Sequence, residues 1–336
     1  MRVVEALRDG LRRSLAADEQ VHFLGEDILD PYGGAFKVAD GLSTEFPGRV
    51  HTTPVSEAGI VGVGVGMALR GLKPVVEIMF GDFITLAADQ LINHAAKLRW
   101  MSNDQVSVPL VVRTPMGGRR GYGPTHSQTL ERLYLGVPGL RVVAVHALVD
   151  PAELLQNAIL QERDPLVLIE HKLLYSQTVR APADLPEFDH ELSAGRYPVI
   201  RFSLRGAPPP SWTIATYGYM TELVLEALEQ LAYQHEIFAE AVVYTQLSPF
   251  DPMPLAASLA RTGRLLTVEE GSRTHGWGAE AAAAAAGACL QPPLIRRVAA
   301  RDLPVPAAEP LELAVLPGLD DIMQAVLAER TAGQGQ

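Results

Sequence analysis

Residues 73–115 read KPVVEIMFGDFITLAADQLINHAAKLRWMSNDQVSVPLVVRTP: a short apolar run, a segment of helical character, and a second short apolar run. The two runs, KPVVEIMF from 73 and VPLVVRTP from 108, have strand length, and a connection of this size is what two parallel strands require. Working outward, VHFL at 21, LRVVAVH at 140 and PLVLIEH at 165 continue the alternation of apolar run and helical pattern. Such alternation predicts a mainly parallel sheet covered by helices on both faces. Residues 176–211 change character, with Pro182, Pro186, Pro198 and Pro208-Pro209-Pro210 and no sustained period; they read as an interdomain linker over the surface. Alternation resumes with WTIATYG at 212, a helix from about Thr221, EAVVYTQL at 240, RLLTVEE at 264, the alanine-rich AEAAAAAAGACL and PLIRRVAA at 293. Alanine is the strongest helix former, so that run is expected as a packed helix. The expected architecture is α/β: a first domain over 1–175, the linker, and a second over 212–336, each a mainly parallel sheet flanked by helices.

Composition narrows the function. A chain of 336 residues exceeds the size at which a single core keeps growing, which favours two domains. No apolar run reaches the roughly 18 residues of a membrane span. The first residues place Val4, Leu7, Leu11 and Leu15 on one helix face rather than in a secretory leader. The single cysteine, Cys289, rules out a disulfide framework and a thiolate zinc cluster, in keeping with a reducing cytoplasm. A net charge of -11 with no basic cluster denser than Arg119-Arg120 argues against nucleic acid as a partner.

The stretch with the most chemistry is PVSEAGIVGVGVGMALRG, residues 54–71. Ser56 is placed to N-cap a helix, Glu57 falls in its first turn and Gly71 ends it. Gly59, Gly62, Gly64 and Gly66 all lie inside that helix. Each costs up to about 1 kcal/mol relative to alanine, so close approach by another helix or another chain is expected. A dinucleotide fingerprint is the competing reading, but the third fingerprint glycine is missing and no strand runs directly into the glycines.

GEDILDPYGGAFKVADGL (25–42), TTPVSEAGIVGVGVGMA (52–68), EIMFGDFITLAADQLINHAAKLRWMS (77–102) and RTPMGGRRGYGPTHSQTLE (113–131) are ordered blocks, continued by PGLRVVAV, DPLVLIEHKLLY, TIATYGYM, LSPFDP and TVEEGSRTHGWGAE. Together they resemble the signature blocks of beta subunits of thiamine diphosphate-dependent 2-oxoacid dehydrogenases of the pyruvate and branched-chain type, in the transketolase-like superfamily. The resemblance covers nearly the whole chain. It implies a pyrimidine-binding first domain and a transketolase C-terminal second domain.

The resemblance also implies roles. Glu57 matches the glutamate that hydrogen-bonds ring nitrogen 1' of the cofactor's aminopyrimidine. Sharing a proton there favours the imino tautomer, which can deprotonate the thiazolium carbon; on spacing alone Glu57 would only complement a helix dipole. His126, in the loop after VPLVVRTP, matches the histidine on the substrate side of the cofactor, and imidazole moves protons near neutral pH. Phe83 matches the aromatic beside the aminopyrimidine, although an ordinary core aromatic fits its spacing equally well. Glu26 matches an acidic residue at the cofactor end of the interface, against a solvated loop carboxylate as the plain alternative. Thiamine enzymes hold magnesium and diphosphate with Gly-Asp-Gly followed by asparagine. Here Gly81-Asp82 continues to Phe83 and no glycine precedes Asp40-Gly41, so no metal ligand is assigned to this chain. Thiamine diphosphate is expected as cofactor, with magnesium held by an alpha-type partner in an α2β2 heterotetramer.

The expected reaction is oxidative decarboxylation of a 2-oxoacid with the acyl group passed to a lipoyl acyltransferase. The loop RRGYGPTHSQ departs from the usual Gly-Gly-His-Tyr-His-Ser pattern, with Pro124-Thr125 where His-Tyr is frequent. That departure keeps transfer of a two-carbon ketol unit to a carrier protein or sugar open as an alternative. A non-catalytic scaffold subunit is the third reading.

Overall fold

The computed structural model describes residues 1–333, which fall into two compact units, 1–117 with 133–181 and 118–132 with the described residues from 182 onward. In chain order the first unit holds α1 (Val3–Ala17), β1 (Val21–Gly25), α2 (Leu42–Glu45), β2 (Val50–Thr52), α3 (Glu57–Leu69), β3 (Lys73–Glu77), α4 (Ala96–Met101), β4 (Val111–Met116), β5 (Arg141–Ala144), α5 (Pro151–Gln161) and β6 (Leu166–His171). Its strands run in the order β5-β6-β4-β3-β1-β2 and every pairing is parallel. All residues of β4 and β6 are buried. Near-continuous apolar runs therefore mark these central strands, because helices cover both faces.

The second unit holds β7 (Phe188–Leu192), β8 (Val199–Leu204), β9 (Trp212–Tyr217), α6 (Met220–His235), β10 (Ala239–Tyr244), β11 (Gln246–Ser248), α7 (Met253–Thr262), β12 (Arg264–Ser272), α8 (Trp277–Ala288), β13 (Leu294–Ala300), α9 (Glu309–Val315) and α10 (Leu319–Gly333). Its sheet runs β13-β12-β9-β10-β8-β7: four parallel strands followed by the antiparallel pair β8 and β7. This is a difference from the linker expected at 176–211, since residues 188–204 supply two of the strands. The hairpin escapes a periodicity reading because β7 lies at the sheet edge and buries only Phe188 of its five residues. The alanine run forms α8, which packs on α7 and β12. Among the described residues no helix is long and apolar enough to cross a membrane.

Glycine inside helices has a local cause in some places and not in others. Gly10 of α1 faces α5 so closely that a Cβ there would lie 2.7 Å from the Ala152 carbonyl oxygen. Gly64 of α3 meets Leu110 and Val76 side chains, whereas Gly66 has nothing within 4 Å. Substitution by alanine should therefore have opposite signs at Gly10 and Gly66. Gly10→Ala is expected to destabilise by about 1–3 kcal/mol through overpacking against backbone that cannot yield. Gly66→Ala should stabilise the isolated chain by up to about 1 kcal/mol through helix propensity alone. Denaturant midpoints of the two variants check the pair.

Candidate functional site

In the first unit the expected residues stand just beyond the carboxyl ends of strands, where open parallel sheets place ligands. Glu26 follows β1, Glu57 opens α3 after β2, and Phe83 opens a 3-10 turn, Phe83–Ala87, after β3. Ser56 caps α3 by accepting the Gly59 N–H at 3.4 Å. Glu26 and Glu57 are both buried, at 8% and 6% exposure. Burial first, and the charge of Glu57 next, push the Glu26 carboxyl above the ordinary carboxylate range, against a hydrogen bond it accepts from the Ser56 N–H. The buried Glu26 Oε1 has no hydrogen-bond partner within the chain, and neither has Thr53 Oγ1. A buried carboxyl raised in this way, with one oxygen unpaired, suits a ligand donor with which it can share a proton.

Phe83 is half-buried and meets Phe80 edge to face at 6.2 Å. Phe80 in turn meets Phe36 at 5.5 Å, and Phe36 meets Tyr175 at 5.2 Å. The Phe83–Ala87 turn packs against α3. The structure thus brings Glu26 and Glu57 together and sets the Phe83 segment against the helix that Glu57 begins.

Behind them lies a buried ionic network that the sequence reading passed over. Arg113, 1% exposed, donates to Glu170 through Nε at 2.8 Å and through Nη2 at 2.5 Å, and to Glu77 through Nη1. Tyr175 Oη donates to Glu170 Oε2 at 2.6 Å. Burial opposes the guanidinium charge, but Glu170 and Glu77 more than offset it and hold Arg113 protonated. Burial also raises Glu77, which Arg113 opposes, and the charge of Glu77 contributes to the shift at Glu26. The overlooked signal was a charged residue inside each of three apolar runs, EIMF, LVVRTP and LIEH. In a strand buried on both faces such a charge needs a partner.

His126 belongs to the second unit, as does its whole loop 118–132. It is half-buried, with Nδ1 3.0 Å from Thr125 Oγ1 and its backbone N–H donating to Gly123 O at 3.3 Å. At the far end of the loop Glu131, fully buried, accepts from Tyr217 Oη at 2.7 Å. Burial raises the Glu131 carboxyl. Glu269 on β12 accepts from the Gly278 N–H at 3.0 Å and from Arg297 at 3.1 Å. Even so, burial and then the charge of Glu131 push Glu269 up to about 7. Two further histidines are exposed: His94, with Nε2 3.4 Å from the Asp89 carboxylate, and His275, at φ 56° in a turn.

Comparison with known proteins divides the chain by sequence, with the loop 118–132 inside the first match. Residues 1–178 match the model of the transketolase pyrimidine-binding domain, and residues 207–322 that of the transketolase C-terminal domain. The chain is 38% identical to pyruvate dehydrogenase E1 component subunit beta-1, mitochondrial, of Arabidopsis thaliana, covering 97% of this chain and 88% of that protein. It is 35% identical to pyruvate dehydrogenase E1 component subunit beta of Rickettsia conorii, over 96% of each. Among solved structures it is similar to a split-gene transketolase described as an inactive beta4 tetramer, with a TM-score of 0.72 and 19% identity over 98% of both chains; that likeness concerns the fold.

Two expected outcomes follow from the buried charges. Arg113→Met removes the one cation between Glu77 and Glu170 and should cost about 3–5 kcal/mol, because it leaves carboxylates buried without a counterion; a denaturant titration measures the loss. For Glu269 the folded value of about 7 lies above the ordinary 4.5, so its stabilising contribution is present below pH 4.5 and is lost as pH rises through 7. Relative to Glu269→Gln, the wild type should therefore lose roughly 3 kcal/mol across that window. Unfolding free energies of both proteins from pH 4.5 to 8, at about half-unit steps, give the difference.

Proposed function

Because the chain belongs to the transketolase-like family of pyruvate dehydrogenase E1 beta subunits, we propose that it supplies the aminopyrimidine-binding half of a thiamine diphosphate site in a heteromeric 2-oxoacid dehydrogenase. The observation that carries the reading is the buried pair Glu26 and Glu57 at the carboxyl end of a parallel sheet, with Glu26 Oε1 lacking a partner. A protonated ring nitrogen is the kind of donor such a pair accepts, so the residues present fit the cofactor.

Thiamine diphosphate, when bound, supplies an acidic carbon and an electron sink for cleavage beside a carbonyl. Glu57 would hold the aminopyrimidine ring nitrogen and share a proton there. Glu26 resists ionisation beside it and keeps the negative charge of the pair low. Phe83 offers an aromatic face to the ring. His126 is assigned the proton movement on the substrate side, with Thr125 at Nδ1 fixing the ring orientation. The overall reaction releases carbon dioxide from the 2-oxoacid and passes the acyl group to a lipoyl acyltransferase. In place of that transfer, ketol transfer to a carrier protein or sugar is favoured by one feature only, Pro124-Thr125 before His126.

The chain has no Gly-Asp-Gly motif with a downstream asparagine, so magnesium and the diphosphate are assigned to an alpha-type partner in an α2β2 assembly. The exposed stripe of α3 supports that assignment: Gly59, Val63, Gly66 and Leu69 are exposed and recur every three or four residues on one helix face. A cytoplasmic location for the complex is part of the same reading, and the single cysteine is consistent with a reducing compartment.

The test is Glu57→Gln in the complex reconstituted with its alpha-type partner, thiamine diphosphate and magnesium. Turnover of 2-oxoacids with an artificial electron acceptor should fall by about 10²–10⁴, with carbon dioxide release falling in step and the unfolding midpoint little changed. Turnover equal to wild type would leave only the scaffold role. Product formation from a ketose donor without carbon dioxide would move the assignment to ketol transfer.

A further inference from the structure

The segment from Gly118 to Arg132 follows β4 in the chain, yet it belongs to the compact unit built on the second sheet. Two buried carboxylates hold its start. Glu312 of α9, 2% exposed, accepts the Arg119 N–H through Oε1 at 2.8 Å and the Gly121 N–H through Oε2 at 3.1 Å. Glu270 of β12 accepts the Gly118 N–H at 2.8 Å. Consecutive backbone N–H groups in a turn form an anion-binding concavity, and here the anions are side chains of the same unit. Hydrogen bonds to ionised acceptors are about twice as strong as neutral ones.

Arg119 completes the anchor. Its Nε donates to Glu270 Oε2 at 3.1 Å, its Nη2 donates to the Pro317 carbonyl, and its guanidinium lies 5.7 Å from the Tyr219 ring centroid. Arg119 also has φ 66°, a left-handed conformation that glycine adopts freely and other residues adopt at a cost. Gly117, Gly118, Gly121 and Gly123 surround it, so glycine is what this loop otherwise uses. Strain of this kind persists where the surroundings over-determine it, and the contacts of the Arg119 side chain are those surroundings.

We propose that Arg119, Glu270 and Glu312 are positioning residues for His126: they fix the first turn of the loop and thereby set where the imidazole stands in the reaction. None of the three is a catalytic residue. The inference rests on the role assigned to His126 in the proposed function. It goes beyond it by naming what holds that residue.

The experiment uses Arg119→Gly, Arg119→Lys and Glu312→Gln in the reconstituted holo complex, with His126→Ala alongside. Arg119→Gly relieves the backbone strain while removing the tether, so a fall in activity cannot be put down to an unfavourable φ. Glu312→Gln keeps the volume and loses one acceptor oxygen. Two readouts are taken: hydrogen exchange of the amides of residues 118–126, and kcat apart from KM for the 2-oxoacid and for thiamine diphosphate. Arg119→Gly and Glu312→Gln should speed exchange at Gly118, Arg119 and Gly121 at least tenfold. They should lower kcat about ten- to a hundredfold and leave the KM for thiamine diphosphate within about twofold. Arg119→Lys, which keeps the charge but not the fork, should fall between them and wild type. Unchanged exchange, or faster exchange with wild-type kcat, overturns the proposal; so does a loss confined to cofactor KM. Full turnover in His126→Ala removes that residue from the reaction and overturns the functional assignment, while the exchange data still decide whether the anchor exists.

Discussion

A charge placed inside an apolar sheet has to be neutralised where it stands, and in the first unit Arg113 does this for two carboxylates at once. Glu77 pairs with Arg113 in register across β3 and β4, while Glu170 lies on β6, the strand on the other side of β4. Three neighbouring strands are thereby tied through one guanidinium. The tie is not explained by stability, because desolvation of buried ions commonly cancels their attraction and an apolar trio of equal volume would hold the sheet as well. What the ions add is position. Glu77 is fixed beside Gly34, where a Cβ would come 3.1 Å from Glu77 Oε1 and where φ is 79°. The loop that leaves Glu26 can therefore return close over the sheet, and the charge of Glu77 is felt at Glu26. Residues that touch no ligand in this scheme shape the proton affinity of one that would.

The second unit handles buried carboxylates differently. No single cation gathers them; each is given its own donors. Glu312 takes two loop N–H groups, Glu270 one N–H and the Arg119 side chain, Glu131 a tyrosine hydroxyl, and Glu269 a helix-start N–H with Arg297. Glu131 Oε2 and Glu269 Oε2 have no partner within the chain. In both, burial raises the proton affinity, as expected when it is only partly compensated. Glu312 and Glu270 serve instead as anchors, with both oxygens of each taking donors from the loop at 118–121.

Most of the layered fold was legible because parallel strands covered on both faces leave an apolar run with little interruption, as in LVVRTP and LVLIEH. The edge hairpin was not, since an edge strand buries too little to show a period: β7 hides only Phe188. Glu57 and Glu26 stand out as candidates through ordered blocks rather than through physics, for a first-turn glutamate and a loop glutamate each have an ordinary explanation. Arg113, Glu77 and Glu170 require no blocks, only the rule that an ion in a fully buried strand is paired. The anchoring of 118–132 was beyond a linear reading. Nothing in GGRRGYGPTHSQ reveals that Glu312, far along the chain, accepts its N–H groups.

The glycines of α3 pose an energetic question about what lies against the open side of that helix. In a helix interior each glycine costs up to about 1 kcal/mol, and a helix keeps such residues only where something offsets them. For Gly64 the offset is internal, because Leu110 and Val76 occupy the space a Cβ would take. Gly66 has nothing within 4 Å, and the nearest atoms at Gly59 belong to its own capping serine. The exposed Val63 between them adds apolar surface to the same stripe. A helix with its buried side satisfied and its open side deliberately low leaves room for another backbone to approach closely. The proposed alpha-type partner is the body that would fill it, bringing the metal and diphosphate ligands that this sequence lacks to the end of the helix that begins with Glu57.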